Sequence, residues 1–376
     1  MKYYLIAGEK SGDLHASNLM KELLSKDPEA EFRFWGGEEM QKVGGTMIHH
    51  YSEISFMGFL EVAKNLLTIR RYMNECKKDI LCWKPDVVIL VDFSGFNLKI
   101  AKYIKPRGTK VFYYISPKVW AWNQSRAKRI RNVVDRMFVI MHFEKAFYKK
   151  YNYDVDYVGN PLFDAIKQFT PSPTFFEDNQ LDPNKKIIAI LPGSRYQEVS
   201  MILKTMLTII PKYNKEEYQF IVAGVEHLPA ELYKEVQGLG VKLLFNQTYD
   251  ILDKATSAVV TSGTATLETA LFEVPQVVCY RTSPVTYNII KALIKVRFIS
   301  LVNLIADKEV VRELIQNDFT TENLDKELQY TITSKREKIL SDYREMKDKI
   351  DTEGTSKKAA SLMYQYLTEG IPEQKF

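Results

Sequence analysis

A short apolar run, then a polar turn carrying glycine, then a helical pattern: this unit recurs along the chain and confines it to an α/β fold with parallel strands. Residues 3–7 open the series and lead into a helix over 14–24, with Leu19, Met20, Leu23 and Leu24 on its apolar side. Residues 31–35 form a second strand, closed by Gly36-Gly37. The run Val87-Val88-Ile89-Leu90-Val91 has no polar alternation, as expected of a strand covered on both faces. Residues 110–115, 136–141 and 155–158 continue the series. After Gly159-Asn160-Pro161 the order weakens, and 168–184, rich in Pro, Asp, Thr and Asn, reads as a connection. The alternation restarts with strands at 187–191, 219–223, 242–245, 258–261 and 276–279. The last forty or so residues read as charged helix without a strand.

A chain of 376 residues exceeds what one core usually supports. The two βα series therefore predict two Rossmann-like domains facing each other, followed by a C-terminal helical segment. The expected division is 1–165, 166–340 and 341–376, the last returning to the first domain or exchanged between subunits. Right-handed crossovers would bring the loops that follow each strand to a shared cleft. Hydrophobic residues at 45% and charged residues at 26% exclude a disordered chain. A net charge of +5 suits a phosphorylated ligand or an anionic membrane surface without calling for nucleic acid. Cys76, Cys82 and Cys279 are odd in number and match no zinc spacing, which points to a reducing compartment. Residues 3–7 are too short for a secretory signal, and no stretch approaches the roughly 18 apolar residues of a membrane span. A cytoplasmic location, peripheral to the inner face of the membrane, is expected.

Three strings stand at strand-to-helix junctions: Ala7-Gly8-Glu9-Lys10-Ser11-Gly12-Asp13, Leu191-Pro192-Gly193-Ser194-Arg195 and Thr261-Ser262-Gly263-Thr264-Ala265-Thr266-Leu267-Glu268. Each aims backbone N–H groups and a helix N-terminus at one place, an arrangement suited to phosphate. In the first, Gly8 and Gly12 serve a tight turn and Asp13 serves a cap, whereas Glu9 has no capping role and is the better ligand contact. The string is not G-x-G-x-x-G, which disfavours a nicotinamide cofactor. Arg195 is able to grip a phosphate with two parallel donors, or to be an ordinary surface arginine. Glu268 lies one helical turn past Thr264, where it either accepts a ribose's hydroxyls or complements the helix dipole.

Asp92 ends the most apolar strand and is followed by Phe93-Ser94-Gly95-Phe96-Asn97; a carboxylate there is placed for general-base work or for a turn. Trp120-Ala121-Trp122-Asn123 precedes Arg126, Lys128, Arg129 and Arg131. That pattern fits single-stranded nucleic acid, a packed core with a solvated basic face, or a seat for an anionic lipid-linked substrate. Phe56, Met57, Phe59 and Leu60 form an apolar stretch with Arg70 and Arg71 beyond it, either core or a patch that dips into a bilayer surface. Residues 287–298 carry a similar mix, with Lys291, Lys295 and Arg297. Asp154-Val155-Asp156 matches the D-x-D of metal-dependent sugar transferases but reads as a solvated strand face. His49-His50 is too short and isolated to argue for a metal.

Together these strings resemble the lipid-A-disaccharide synthase family. Its Ala-Gly-Glu-x-Ser-Gly-Asp falls on residues 7–13, and its Met-Gly-(x)2-Glu-Val on Met57-Gly58-Phe59-Leu60-Glu61-Val62. Its Pro-Asp-Val…Asp falls on Pro85-Asp86-Val87 and Asp92, and its Ser-Pro-x-Val-Trp-Ala-Trp on residues 116–122. Residues 191–195, 262–268 and Ser300-Leu301-Val302-Asn303-Leu304 match its later motifs. The resemblance covers most of the chain. It implies a GT-B fold and transfer of 2,3-diacylglucosamine from UDP to 2,3-diacylglucosamine 1-phosphate. The products are a β(1→6) disaccharide 1-phosphate and UDP, formed with inversion and without a metal or cofactor.

By the same resemblance Asp92 is the catalytic aspartate. Gly193, Ser194, Arg195, Ser262, Gly263, Thr264, Ala265, Glu268 and Asn303 serve the UDP donor. Glu9, Ser11, Gly12 and Asp13 face the sugars and the acceptor. Phe56, Met57, Phe59 and Leu60 meet the membrane or acyl chains, and a homodimer is a further expectation. Gly95, Asn123 and Asn160 depart from the family pattern on the acceptor side. The alternatives are a UDP-N-acetylglucosamine 2-epimerase of the same architecture and a non-catalytic, lipid-binding peripheral protein.

Overall fold

The protein is described from a computed structural model. It covers residues 1–54, 66–226, 228–293, 296–350 and 354–372, with the backbone alone for Leu66, Trp122, Ile289, Ile290 and Leu293. Phe56, Met57, Phe59 and Leu60 lie outside the described residues. The chain divides into two compact units, one of Met1–Asp164 with Asp351–Phe376 and the other of Ala165–Ile350.

The first unit is built on seven strands: β1 (Lys2–Ala7), β2 (Glu31–Gly36), β3 (Thr46–His50), β4 (Val87–Val91), β5 (Lys110–Tyr114), β6 (Arg136–Val139) and β7 (Asp156–Tyr157). They lie in the order β3-β2-β1-β4-β5-β6-β7, every pair parallel. All five side chains of β4 are fully buried, which accounts for its unbroken apolar run. The second unit holds β8 (Lys186–Leu191), β9 (Tyr218–Gly224), β10 (Lys242–Phe245), β11 (Ala255–Thr261), β12 (Gln276–Tyr280) and β13 (Glu313–Ile315), in the parallel order β10-β9-β8-β11-β12-β13.

Two strands escaped the sequence reading, β3 and β13, and both are sheet edges. Thr46-Met-Ile-His-His mixes polar with apolar positions, and Glu313-Leu-Ile is too short to show a pattern. Strand β5 stops at Tyr114 rather than Ile115, whose φ of +64° turns the chain out of the sheet. The connection after Gln168 contains one helical turn, Phe175–Asp178, whose Phe175 packs with Leu181 against β8 and β9.

The C-terminal region divides later than expected. The helix Arg336–Asp348 stays with the second unit: Tyr343 is buried there, its hydroxyl donating to the Val274 carbonyl at 3.2 Å and accepting from Gln276 Nε2 at 3.1 Å. The helix Thr355–Thr368 belongs to the first unit. Its Ala359, Ala360, Met363 and Tyr366 complete a core with Leu19, Met20, Leu23, Phe112 and Phe138. Tyr366 also corrects the reading of Asp156. That carboxylate is held by the buried Arg136 through Nε at 2.7 Å and Nη2 at 3.0 Å, and by the Tyr366 hydroxyl at 3.1 Å, so it is an internal ion pair rather than a solvated face. Asp154 precedes the strand and is exposed. Among the described residues no helix is long and apolar enough to cross a membrane.

Candidate functional site

Each sheet has one place where the strand order reverses, and there the loops after two adjacent strands diverge and leave a crevice. In the first unit this place lies between β1 and β4, with Ala7 paired to Val91. Gly8 and Asp92 therefore begin neighbouring loops, 84 residues apart in the chain but side by side in the sheet.

Asp92 and Phe93 both adopt left-handed backbone, with φ of +44° and +43°. That conformation costs a residue with a side chain roughly 1–3 kcal/mol and persists only where the surroundings impose it. Here they do. The Asp92 amide donates to the Tyr114 carbonyl at 3.1 Å. Its carbonyl accepts from Asn97 Nδ2 at 2.9 Å and from the Tyr113 hydroxyl. Asn97, fully buried, also reaches the carbonyls of Val91 and Ile6 at 3.3 Å. The main chain is clamped while the Asp92 side chain stays half-buried at the strand end.

Of the first glycine string, Glu9 is half-buried and Ser11 exposed at the start of the helix Lys10–Lys26, and Gly12 is buried near Ala7. Asp13 has a different employment. Its carboxylate, 1% exposed, accepts from the amides of Gly37 at 2.6 Å, Glu39 at 3.0 Å and Met40 at 3.2 Å. It caps the separate helix Glu38–Val43, so its lone pairs are engaged inside the protein. Two residues on, burial pushes His15 down to about 4, and its Nδ1 has no hydrogen-bond partner among the described residues.

The Ser116–Trp120 stretch closes over a carboxyl that no sequence signal singled out. Glu144, at the start of the helix Phe143–Lys149, is buried; the Ser116 hydroxyl donates to Oε1 and the Met141 amide to Oε2 at 3.0 Å. Burial pushes this carboxyl up to about 7, against the opposing effect of those two bonds. Trp120 packs in the core, edge-on to Phe143 at 4.9 Å, while Lys128 and Arg129 face solvent.

The second unit repeats the plan. Its reversal lies between β8 and β11, where Leu191 pairs with Val260. After β8 the chain turns through Gly193, at φ +113°. Glu198 then folds back from the helix Tyr196–Leu207, its Oε2 accepting from the amides of Ser194 at 3.0 Å and Arg195 at 3.3 Å. The Arg195 guanidinium remains exposed, 3.7 Å from Glu198 Oε1. After β11, Ser262 is fixed by its hydroxyl to the Ile299 carbonyl at 2.9 Å and by its amide to the Cys279 carbonyl at 2.9 Å. Gly263 begins the helix Thr264–Leu271 without a side-chain cap, and Thr264 is exposed. The Thr266 amide donates back to the Gly263 carbonyl at 3.3 Å, and the helix start presents the positive end of its dipole beside Ser262.

Glu268, one turn in, is half-buried and accepts from the Tyr249 hydroxyl at 2.8 Å. Burial raises its carboxyl above the ordinary value and the Tyr249 bond opposes the rise. Tyr249, from the helix Thr248–Lys254, is a partner of Glu268 that the sequence did not reveal.

Asn303 sits beneath this region, fully buried. Its Nδ2 donates to the Val311 carbonyl at 2.8 Å and Glu313 Oε1 at 2.9 Å, and its Oδ1 accepts from the amides of Val310 and Val311 at 2.8 and 3.0 Å. Every donor and acceptor of that amide is in use, which makes it a support for the β12–β13 edge rather than an open contact. Of the three departures, Asn160 is buried with Oδ1 accepting from the Leu162 amide at 3.1 Å, Asn123 accepts from Ser125 at 3.2 Å, and Gly95 is exposed. Among the described residues no group of three or more His, Cys, Asp or Glu is arranged to hold a metal ion.

The family model described as Lipid-A-disaccharide synthetase matches residues 3–365. The lipid-A-disaccharide synthase of Geobacter metallireducens is 35% identical over 371 residues, covering 96% of this chain and 96% of that protein. The one from Syntrophus aciditrophicus is 36% identical over 366 residues, covering 95% and 96%. Among solved structures, the S. aureus MnaA–UDP co-structure superposes with a TM-score of 0.68 at 13% identity, covering 100% of this chain and 98% of that one. The glycotransferase of kitacinnamycin gives 0.62 at 11% identity, with 99% of each chain covered. At such identities the structural likeness carries the GT-B fold and no more.

Proposed function

Because the chain belongs to the lipid-A-disaccharide synthase family, we propose that it joins UDP-2,3-diacylglucosamine to 2,3-diacylglucosamine 1-phosphate, giving the β(1→6) disaccharide 1-phosphate and UDP. The observation that carries this reading is the pairing of motifs at both sheet reversals: Gly8–Asp13 with Asp92, and Gly193–Arg195 with Ser262–Glu268.

In this reading the second unit takes the donor. Arg195 and the amides of Gly263, Thr264 and Ala265, beside Ser262, hold the diphosphate, and Glu268, oriented by Tyr249, accepts from the ribose hydroxyls. The first unit takes the acceptor, with Glu9 and Ser11 on the sugar and Gly12 allowing close approach. Asp92 removes the proton from the acceptor 6-hydroxyl as that oxygen attacks the donor's anomeric carbon. One C–O bond forms as the bond to the diphosphate breaks, and the electron pair leaves with UDP. A single displacement inverts the anomeric centre. The charge that develops on UDP is stabilised by donors already in place, the most effective kind of electrostatic help. Asn303 and Asp13 act by holding the walls. The apolar stretch Phe56, Met57, Phe59 and Leu60, with Arg70 and Arg71 after it, supports peripheral attachment to the inner face of the cytoplasmic membrane, where acylated substrates reside.

The decisive experiment is mass spectrometry of the products formed from synthetic acylated donor and acceptor, with UDP release followed in parallel. Formation of the disaccharide 1-phosphate with one UDP per product is the expected result. Epimerisation of soluble UDP-N-acetylglucosamine without disaccharide formation would replace this reading with the epimerase. Vesicle binding with no UDP release would replace it with a lipid-binding protein.

A further inference from the structure

Next to Asp92 the first unit contains an apolar cavity of about 170 Å³. The helix Leu66–Trp83 contributes Ile69 and Met73, and the helix Ser94–Ile104 contributes Gly95, Phe96 and Lys99. Phe93, the residue after Asp92 in the chain, lines the cavity as well. Among the described residues on that wall Lys99 is the only charged one. A lysine of this kind lines apolar space with its stem while its ammonium stays in water. Among the described residues the wall carries one further polar group, the Tyr72 hydroxyl, and neither a set of acceptors for sugar hydroxyls nor an array of donors for a diphosphate. It is suited to hydrocarbon.

We propose that this cavity receives one acyl chain of the acceptor, and that Gly95 sets how much chain enters. The proposal rests on the transferase reading above. The acceptor is assigned, rather than the donor, because Phe93 ties the cavity to the residue that takes the acceptor's proton. An apolar cavity of about 150 Å³ accommodates a six-carbon ring. This one therefore takes about six to eight chain carbons and leaves the remainder outside. A β-carbon built on Gly95 meets nothing within 4 Å, and its φ is an ordinary one, so a side chain added there enters open space without disturbing the backbone. Gly95 lines the cavity without a side chain, and its backbone does not require glycine.

The test compares two acceptors, acetylated and octanoylated glucosamine 1-phosphate, on wild type, Gly95→Leu and Met73→Trp. The second variant fills the cavity from the other helix, so a folding defect at one position does not decide the outcome. The ratio of kcat/KM for octanoyl over acetyl acceptor is expected to fall about tenfold in both variants, the equivalent of about two methylenes returned to water. An unchanged ratio in both overturns the pocket while leaving the transferase reading intact. If wild type transfers to neither acceptor, the transferase reading fails on its own. The pocket is then judged by calorimetric titration of the octanoyl compound: binding about tenfold weaker to Gly95→Leu than to wild type sustains it, and equal affinity overturns it.

Discussion

The ring of Phe93 occupies the space that a β-carbon on Gly8 would need: such an atom would lie 2.2 Å from Phe93 Cγ. Two motifs far apart in sequence are thereby locked face to face. Gly8 is glycine because the loop after β4 leans on the loop after β1, and the left-handed pair Asp92-Phe93 is what makes it lean.

Replacing Gly8 with alanine must push Phe93 aside and carry Asp92 with it. Overpacking of this kind typically costs about 1–3 kcal/mol. A shift of about 1 Å at a reacting group costs about 10²-fold in rate. Urea unfolding of Gly8→Ala is expected to show the first and turnover the second, with UDP affinity retained because the loops proposed to hold the donor lie in the other sheet. Wild-type turnover with wild-type stability would remove Phe93 as a positioning residue.

Asp92→Asn keeps the backbone bonds to Tyr114, Asn97 and Tyr113 but withdraws the proposed base. General-base catalysis is worth about 10²–10⁴-fold, and turnover should drop by that amount. UDP binding by titration calorimetry should be unchanged. Near wild-type turnover would exclude Asp92 from proton transfer.

Glu144 makes stability depend on pH. Its carboxyl holds a proton up to about pH 7 in the folded protein but, once unfolded, only to its ordinary value of 4.5. Between those values the folded state binds more protons than the unfolded state, so stability falls as pH rises through the interval and levels off above it. The shift corresponds to about 3 kcal/mol. Glu144→Gln, which imitates the neutral acid, should flatten the dependence between pH 5 and 7.5 by about that amount in urea titrations. Equal slopes for wild type and variant would show that the carboxyl is charged throughout.

Asn303→Ala leaves the amides of Val310 and Val311 and one oxygen of Glu313 without their buried partner. Each orphaned group costs about 1–3 kcal/mol, partly recovered by rearrangement. Unfolding measurements are expected to show a loss of about 2–4 kcal/mol, with weaker UDP binding following from the displaced β12–β13 edge. Loss of UDP affinity at unchanged stability would instead make Asn303 a direct contact.

How far the chain could be read follows from the range of the interactions. Val87–Val91 announced itself because burial on both faces removes every polar residue from a strand. Strands β3 and β13 did not: Thr46-Met-Ile-His-His mixes polar with apolar positions, and Glu313-Leu-Ile is too short for a pattern. The glycine strings were legible because turns and helix starts are local. The work those residues do was less legible. Asp13 caps a helix that starts 25 residues later. Glu268 is met by Tyr249 from another helix, and Asn303 is consumed by a segment that follows it. Glu144 lies in a stretch whose pattern resembles any amphipathic turn, and only the fold reveals that it is enclosed.

The returning helix Thr355–Thr368 has a consequence for how the protein is made. The second unit is one continuous stretch of chain, Ala165–Ile350. The first unit is not: Leu19, Phe112 and Phe138 emerge early but wait for Ala359, Met363 and Tyr366, which follow the whole of the second unit. The first unit is therefore completed only after the second has been synthesised. A message truncated before codon 355 would yield a first unit whose core of Leu19, Met20, Leu23, Phe112 and Phe138 lacks Ala359, Met363 and Tyr366, and whose Arg136–Asp156 pair lacks the Tyr366 hydroxyl.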